Sequence, residues 1–374
     1  MNVYLDNAAT TYPKPDSVAE AVYGYIKNNG MNINRGAYRT AFDAEGIVYE
    51  TRRLLCGLFG FDKPSNVIFC ANVTTALNMV LKGLFKCGDH VLVSSMEHNA
   101  VMRPLVQLAE QGVEFDRIPC DAEGRLLWDD GLIRENTRAV VMTHASNVCG
   151  TIMPIEKIGG ICAERGIKFI VDSAQSGGIL PVDMKNMHIN VLCFTGHKGL
   201  YGPQGIGGFI ADDDTAGQMR PLISGGTGSA SDLETMPLFL PDRFEAGTLN
   251  IPGICGLKAG VEFISTAGDI AEKESRLTKM FIDGVNDIGY KIAGINGTDG
   301  RTAVVSLISR KDPAMLAFEL DKSYGIMTRV GLHCAPSAHR SLGTFPQGTV
   351  RFSFGYFNRE EEIEYTLAAL KKLI

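Results

Sequence analysis

Two stretches decide how this chain is read: "VDSAQSGG" at residues 171–178 and "FTGHKGLYGPQGIGG" at residues 194–208. In the first, Asp172 closes a short apolar run, and in the second, Lys198 stands in a loop rich in glycine. Glycine has no Cβ, so such a loop lets backbone approach backbone or a ligand closely. A carboxylate and an amine thus end two successive apolar segments, which predicts that they meet at adjacent strand ends.

Short apolar runs alternate with helical periodicity around these stretches. The strand-like runs are "NVIFC", "HVLVSS", "AVVMTHA", "KFIVD", "VLCFTG" and "GIGGFIA". Helical patterns occur at residues 43–60, 74–85, 99–112 and 155–166. Strands that alternate with such helices indicate parallel crossovers. The pattern predicts an α/β fold with a large, doubly wound, mostly parallel sheet.

The pattern changes after about residue 250. A helix at residues 251–268 is followed by the strand-like runs "TAVVSLIS", "GIMTRVG" and "GTVRFSFG" and by a closing amphipathic helix at residues 359–374. We therefore predict a large α/β domain at residues 16–250. Residues 1–15 and 251–374 are predicted to form a smaller α+β domain.

The composition argues against two classes of partner. A net charge of −6 lacks the basic field of a nucleic-acid surface. No apolar run approaches the roughly 18 residues of a membrane helix. The first residues place Asp6 and polar threonines where a signal peptide has a basic flank and an apolar core. We expect a cytoplasmic protein that binds neither nucleic acid nor membrane.

The nine cysteines show no C-x-x-C spacing, so they do not predict a zinc or thioredoxin-like site, and we expect no metal. Most fit small, buried hydrophobic positions. Cys334 differs, because "RVGLHCAPSAHRSLGTFPQG" surrounds it with cationic side chains, imidazoles and turn-forming residues.

Ligands of doubly wound sheets bind outside the carboxyl ends of the strands. The polar residues that follow the strand-like runs are therefore candidates as a set: Thr74, Thr75, His98, Asn147, Asp172, Gln175, Thr195, His197 and Lys198.

Lys198 and Asp172 together suggest one flat cofactor. A loop lysine is usually solvated, and an aspartate after a strand often caps a turn. A lysine among close backbone groups can instead form a Schiff base with an aldehyde cofactor. An acid at a pyridine nitrogen keeps that nitrogen protonated, as in pyridoxal phosphate recognition. A dinucleotide fingerprint is disfavoured, because the glycine segment returns into a strand and Pro203 interrupts it.

The remaining candidates suit other parts of that cofactor. Thr74 and Thr75 lie at a predicted helix start, where free N–H groups favour a phosphate or simply an ordinary cap. Thr195 and His197 can add donors to the phosphate. His98 can stack on the ring or bond within its own helix start. For the ring's phenolic oxygen, the candidate donors are Asn147 and Gln175.

Seven segments resemble one enzyme family: "VYLDNAATTYPKP", "SSMEHNA", "HASNVCGT", "VDSAQ", "TGHKGLYGPQGIGG", "RFEAGTLN" and "RVGLHCAP". They are similar to the class V branch of fold-type I pyridoxal phosphate enzymes. Within it, the similarity is greatest to group II (Suf-type) cysteine desulfurases and their selenocysteine-lyase relatives, and it runs from residue 3 to about residue 370.

The resemblance implies a role for each candidate. Lys198 holds the cofactor, Asp172 pairs with its ring nitrogen and His98 stacks on the ring. Gln175 and Asn147 tune the phenolic oxygen, and Thr75, Thr195 and His197 hold the phosphate. Cys334 is the nucleophile. Arg351, assisted by Arg329, binds the substrate carboxylate. Segments of a homodimer partner reach the phosphate site through Gly226, Thr227 and Thr248.

The implied reaction converts L-cysteine into L-alanine and leaves a persulfide on Cys334, from which a protein acceptor takes the sulfur. L-Selenocysteine is the alternative substrate. Two positions depart from the family pattern: Asn34 and Leu332 stand where histidines are common. Sulfur acceptor choice is therefore less well defined by the resemblance than cofactor binding.

Three other interpretations remain open. A selenocysteine lyase would use the same fold and lysine and would not need Cys334. A class V aminotransferase would leave that thiol without a use. An inactive scaffold on this fold would be expected to lack Lys198, Asp172 or Arg351, and all three are present.

Overall fold

A mixed seven-stranded sheet is the centre of the computed structural model, which describes residues 2–33, 36 and 38–374. The strands of the described chain are β1 (Val3–Tyr4), β2 (Val67–Cys70), β3 (His90–Ser94), β4 (Glu114–Ile118), β5 (Thr137–Thr143), β6 (Lys168–Asp172), β7 (Val191–Thr195), β8 (Gly207–Ala211), β9 (Lys291–Ala293), β10 (Val304–Ile308), β11 (Ile326–Met327), β12 (Arg329–Gly331) and β13 (Thr349–Ser353).

Helices connect and cover the strands. The α-helices of the described chain are α1 (Asp16–Gly24), α2 (Arg39–Leu58), α3 (Val73–Leu84), α4 (Asn99–Ala109), α5 (Ile155–Glu164), α6 (Asp213–Gln218), α7 (Ile251–Thr266), α8 (Ile270–Ile288), α9 (Pro313–Tyr324), α10 (Pro336–Ser341) and α11 (Glu360–Leu373). None of the described helices has both the length and the apolar character needed to cross a bilayer.

The large sheet has the order β2-β8-β7-β6-β5-β3-β4. The pairs β3–β4, β3–β5, β5–β6 and β6–β7 are parallel, whereas β8 is antiparallel to β7 and β2. The predicted mostly parallel α/β sheet is confirmed. β8 runs the other way because the glycine loop after β7 returns directly, without the crossover helix that a parallel neighbour needs.

Alternation along the buried strands divides the core between two faces. In β3, Val91 and Val93 pack with α3 and α4, while Leu92 faces the opposite side with α2 and α5. Successive side chains of a strand point to opposite faces, so an entirely apolar strand needs helices on both. Helices thus cover both faces of the sheet, and the edge formed by the carboxyl ends of the strands stays open to a ligand.

A four-stranded antiparallel sheet, β12-β13-β10-β9, forms a second core with α8, α9 and α11. β1 and β11 pair in parallel as a separate two-stranded sheet, and Val3 and Leu5 pack in this second core. Ile254 and Leu257 of α7 instead pack in the core of the large sheet. The domain division at residues 15/16 and 250/251 stays a prediction. The position of α7 matters for it, because this helix follows the predicted boundary at residue 250 but packs against the large sheet.

Two adjacent glycines of α5 test how closely this helix packs. A Cβ on Gly159 would collide with the carbonyl oxygen of Met187, whereas a Cβ on Gly160 would meet nothing within 4 Å. We expect Gly159→Ala to lower the free energy of unfolding by about 1–3 kcal/mol through overpacking. Gly160→Ala should leave it unchanged or raise it by up to about 1 kcal/mol. Urea unfolding of both variants checks this, and equal effects would contradict the packing.

Candidate active site

Lys198 and Asp172 both lie at the open edge of the large sheet. Asp172 is the last residue of β6, and Lys198 lies in the turn after β7, its parallel neighbour. Burial lowers the pKa of Lys198 to about 8, and the nearby Asp172 opposes that shift. Burial raises the pKa of Asp172, and Lys198 opposes it. The structure thus places the two predicted partners near enough for the charge of each to act on the pKa of the other.

Glycines allow the loop after β6 and the loop after β7 to approach each other closely. A Cβ on Gly199 would lie 2.5 Å from the carbonyl oxygen of Gly177, and one on Gly178 would collide with the carbonyl of Gly199. The backbones that carry Asp172 and Lys198 therefore touch directly, which no residue with a side chain would permit. The predicted close backbone approach is confirmed.

His98 begins α4 beside Lys198. Its Nδ1 accepts a hydrogen bond of 3.0 Å from the backbone N–H of Ala100. Burial lowers its pKa to about 4, and the positive charges of Lys198, Arg103 and Arg351 contribute. The imidazole is therefore neutral near pH 7. Its place over a cofactor ring stays a prediction.

Two buried polar atoms, at the end of β7 and just after it, have no hydrogen-bond partner in the described structure: Thr195 Oγ1 and His197 Nδ1. Thr195 pairs in register with Gly207, and a Cβ on Gly207 would lie 2.9 Å from the Cα of Asn72, the N-cap of α3. Buried polar groups without partners are rare. These atoms and the helix start form a cradle suited to an anion.

The cap of α3 is Asn72 and not a threonine. Its Oδ1 accepts from Thr75 N–H at 2.9 Å and from Thr75 Oγ1 at 3.2 Å. Thr74 is exposed, and its carbonyl accepts from Asn78. Thr75 therefore lies closer to the cradle's interior than Thr74, and the phosphate role of both stays a prediction.

The amides of Gln175 and Asn147 are engaged by backbone carbonyls. Gln175 Nε2 donates to Ala8 at 3.0 Å, and Asn147 Nδ2 donates to His333 at 2.7 Å. Each amide nitrogen has a second N–H. Their predicted contact with a ring oxygen therefore stays compatible with these bonds.

Two arginines meet one carboxylate in the same cleft. Arg351 donates through Nη2 to Asp6 Oδ1 at 2.8 Å, and Arg329 donates through Nε to Asp6 Oδ2 at 3.0 Å. Arg351 also donates through Nη1 to the carbonyl of Asn147 at 2.9 Å. The predicted carboxylate-binding arginines therefore lie next to each other and next to Asn147.

The loop of Cys334 is fastened to this cleft. Its carbonyl accepts a hydrogen bond of 2.7 Å from the N–H of Asn99, beside His98. His333 and Cys334 have left-handed backbone, with φ of 46° and 58°, and the Cys334 side chain is exposed. Non-glycine residues in this region cost conformational energy and often mark functional sites. The backbone thus presents the thiol outward while the loop stays docked.

Three candidates lie in residues 221–250, a segment without regular secondary structure. The N–H of Gly247 donates to the carbonyl of Gly226 at 2.8 Å, and Thr227 Oγ1 lies 3.2 Å from Ser229 Oγ. Thr248 is exposed. These bonds join the two stretches that carry the candidates, and their role in a partner's site stays a prediction. Asn34 lies outside the described residues.

Sequence reasoning missed several neighbours of the site. The most important is Asp6, whose only signal was its place after the apolar run "VYL". Asn99 follows a predicted residue and acts through its backbone, which no side-chain pattern reveals. Lys14 donates to the carbonyl of His197 at 2.6 Å, and burial lowers its pKa to about 8. A proline-flanked lysine near the N-terminus carries no local sign of this contact.

Known proteins share the sequence and the fold. Residues 3–366 match the aminotransferase class-V family. A probable cysteine desulfurase of Methanothermobacter thermautotrophicus is 34% identical over 100% of this chain and 94% of its own length. One from Pyrococcus abyssi is 35% identical with the same coverage. The apo structure of a cysteine desulfurase from Thermococcus onnurineus NA1 superposes with a TM-score of 0.93 at 33% identity, covering 100% of this chain and 94% of its own.

The lowered pKa of Lys198 is testable in protein freed of any small molecule bound at the site. An amine reacts with acetic anhydride only when deprotonated, so labelling of Lys198 should be half-maximal near pH 8. Asp172→Asn should lower that midpoint, because Asp172 raises the pKa of Lys198. Mass spectrometry of the labelled peptide measures both. A midpoint near the ordinary lysine value of about 10.4 would contradict the burial effect.

Proposed function

This chain belongs to the aminotransferase class-V family, and from that membership and its site we propose that it is a pyridoxal-phosphate-dependent cysteine desulfurase. Two of the relatives described above are named probable cysteine desulfurases, and the solved structure is that of a cysteine desulfurase. The observation that carries the proposal is that the partly buried amine of Lys198 and the buried carboxylate of Asp172 share a sheet edge with the loop of an exposed thiol, Cys334, and that this loop is bonded to Asn147 and Asn99.

The residues present fit pyridoxal 5′-phosphate, which the family implies. Thr195 Oγ1 and His197 Nδ1, which lack partners in the described structure, suit phosphate oxygens, and Thr75 at the start of α3 is the third candidate. The carboxylate of Asp172 suits a protonated ring nitrogen, and the amine of Lys198 suits an aldehyde carbon. When bound, this cofactor supplies a protonated ring that withdraws electrons from the α-carbon of the substrate.

Lys198 is the base of the proposed reaction. With a pKa lowered to about 8, a sizeable fraction of its amine is neutral near pH 7.5 and can accept the α-proton of cysteine. The resulting ammonium can return a proton to the product.

Arg351 and Arg329 orient the substrate through its carboxylate. A guanidinium offers a planar fork of donors that matches a carboxylate. Arg351 is almost completely buried, while the side chain of Arg329 is half exposed. Arg351 therefore fixes the substrate, and Arg329 stands at the entrance.

Cys334 takes the sulfur. Its thiolate attacks the substrate sulfur, so that an S–S bond forms as the Cβ–S bond breaks. The electron pair goes to Cβ, which takes up a proton, and the products are L-alanine and a persulfide on Cys334. Because the side chain is exposed, a protein acceptor can reach that persulfide.

Three finer assignments belong to the same proposal. The motif "RVGLHCAP" supports the group II, Suf-type subgroup. The exposed loop of Cys334 supports a protein acceptor. The choice of L-cysteine over L-selenocysteine is supported by the names of the relatives.

Persulfide formation separates Cys334 from the other exposed cysteine of the described chain, Cys87. Incubation with L-cysteine should add the mass of one sulfur atom to Cys334. Cys334→Ala should reduce alanine formation from L-cysteine at least 100-fold, on the order of removing a catalytic nucleophile, whereas Cys87→Ala should not change it. Peptide mass spectrometry and alanine assay measure this. Sulfur on another cysteine would refute the assignment, and retained turnover of selenocysteine by Cys334→Ala would favour a selenocysteine lyase.

A homodimer is the proposed assembly. Several large apolar side chains near the N-terminal helices are more than half exposed: Tyr23, Ile26, Phe42 and Tyr49. Phe42 and Tyr49 are seven residues apart on α2, so they lie on one face of the helix. Clustered exposed apolar side chains mark protein interfaces. We propose a second copy of the chain as the partner, because the family resemblance implies a phosphate site completed by segments of a homodimer partner.

The interface can be tested by charge. The double variant Phe42→Asp/Tyr49→Asp should convert a dimer into a monomer, because it places two carboxylates in an apolar contact. Leu127→Asp, at an exposed site outside α1 and α2, should leave the dimer intact. Size-exclusion chromatography with light scattering gives the mass of each. A monomeric wild type would overturn the dimer proposal.

A further inference from the structure

Asp6 lies between the two arginines of the substrate cleft and uses both of its carboxylate oxygens on them. Oδ1 accepts from Arg351 at 2.8 Å and Oδ2 accepts from Arg329 at 3.0 Å. Asp6 is 9% exposed and Arg351 is 2% exposed. Asp6 is held there by a β-bridge to Ser353, next to β1. The carboxylate is therefore a fixed part of the cleft.

The three side chains joined by these bonds have a defined formal charge. The groups whose charges act on Lys198 are Asp172, Arg351, Arg329 and Asp6. In the proposed function, Lys198 and Asp172 serve the cofactor. Two guanidinium groups and one carboxylate remain among these residues. Their sum is one positive charge, which one substrate carboxylate compensates.

The free donors agree with that balance. Arg351 donates through Nη1 to the carbonyl of Asn147 and through Nη2 to Asp6. Its Nε is buried without a hydrogen-bond partner in the described structure. A buried, unpaired charged donor is costly. Arg329 spends Nε on Asp6, and its side chain is half exposed. The pair thus retains donors for one further anion.

We propose that Asp6 sets the charge specificity of the substrate site. It neutralises one of the two arginines, so the cleft accepts an amino acid with a single anionic group and a neutral thiol or selenol side chain. In an amino acid with a second anionic group, such as L-aspartate, that second group faces the carboxylate of Asp6 and finds no free guanidinium to pair with. This inference rests on the proposed function for the identity of the substrate, and on the three side chains alone for the charge balance.

Two carboxylates of equal chain length test it: butyrate with one charge and succinate with two. Both are titrated calorimetrically into the purified holoenzyme. Asp6→Asn should increase the affinity for succinate about tenfold relative to butyrate, because it frees charge-assisted donors for a second carboxylate. The double variant Asp6→Asn/Arg329→Gln restores the net charge and should return the ratio to the wild-type value.

Two further variants guard against a folding defect. Asp6→Glu keeps the charge and should keep the wild-type ratio. Arg329→Gln changes a half-exposed side chain and should lower the succinate-to-butyrate ratio below that of wild type. An unchanged ratio in Asp6→Asn, or an equal gain for butyrate, would overturn the proposal. The titration needs no sulfur transfer, so absence of a persulfide on Cys334 would refute the proposed function while leaving this test valid.

Discussion

The opposition between burial and the carboxylate of Asp172 at the amine of Lys198 is the interaction on which the rest of the site depends. Burial alone would drive the lysine towards its neutral form, and the carboxylate alone would keep it charged. The structure combines both and leaves the pKa near 8. This balance requires the two loops to touch, which Gly178 and Gly199 permit. Because Gly178 and Gly199 lack side chains, the two loops can approach each other closely, and the amine of Lys198 keeps this balance.

A second set of contacts connects the cleft to the thiol. Asp6, Arg351, Asn147 and His333 form one chain of hydrogen bonds, from the segment just after β1 to the loop that carries Cys334. Arg351 is bonded to Asn147, and Asn147 is bonded to His333 in the loop of Cys334. A carboxylate that binds Arg351 is therefore connected to this loop through Asn147. In the proposed function, this arrangement ties recognition of the substrate carboxylate to the position of the Cys334 thiol.

Prediction from sequence succeeded where local pattern and physical cause coincide. Alternating apolar runs and helices predicted the large sheet, and the strand ends predicted where Asp172 and Lys198 lie. It missed β4, whose residues are partly exposed, the short strand β9, and the helices α1, α6, α8, α9 and α10. It also assigned the start of α3 to Thr74 and Thr75, although Asn72 caps it, because each of these residue types can accept from a helix N–H.

The sequence by itself determined the elements and the chemistry they carry: an α/β sheet, an acid and an amine at neighbouring strand ends, and one cysteine in a polar turn. Only the tertiary structure decided which partners those groups meet. Asp6 and Arg351 are 345 positions apart, and Asn147 and His333 are 186 apart. Contacts at such separations depend on how whole elements dock, since periodicity and turn propensity act only over a few residues.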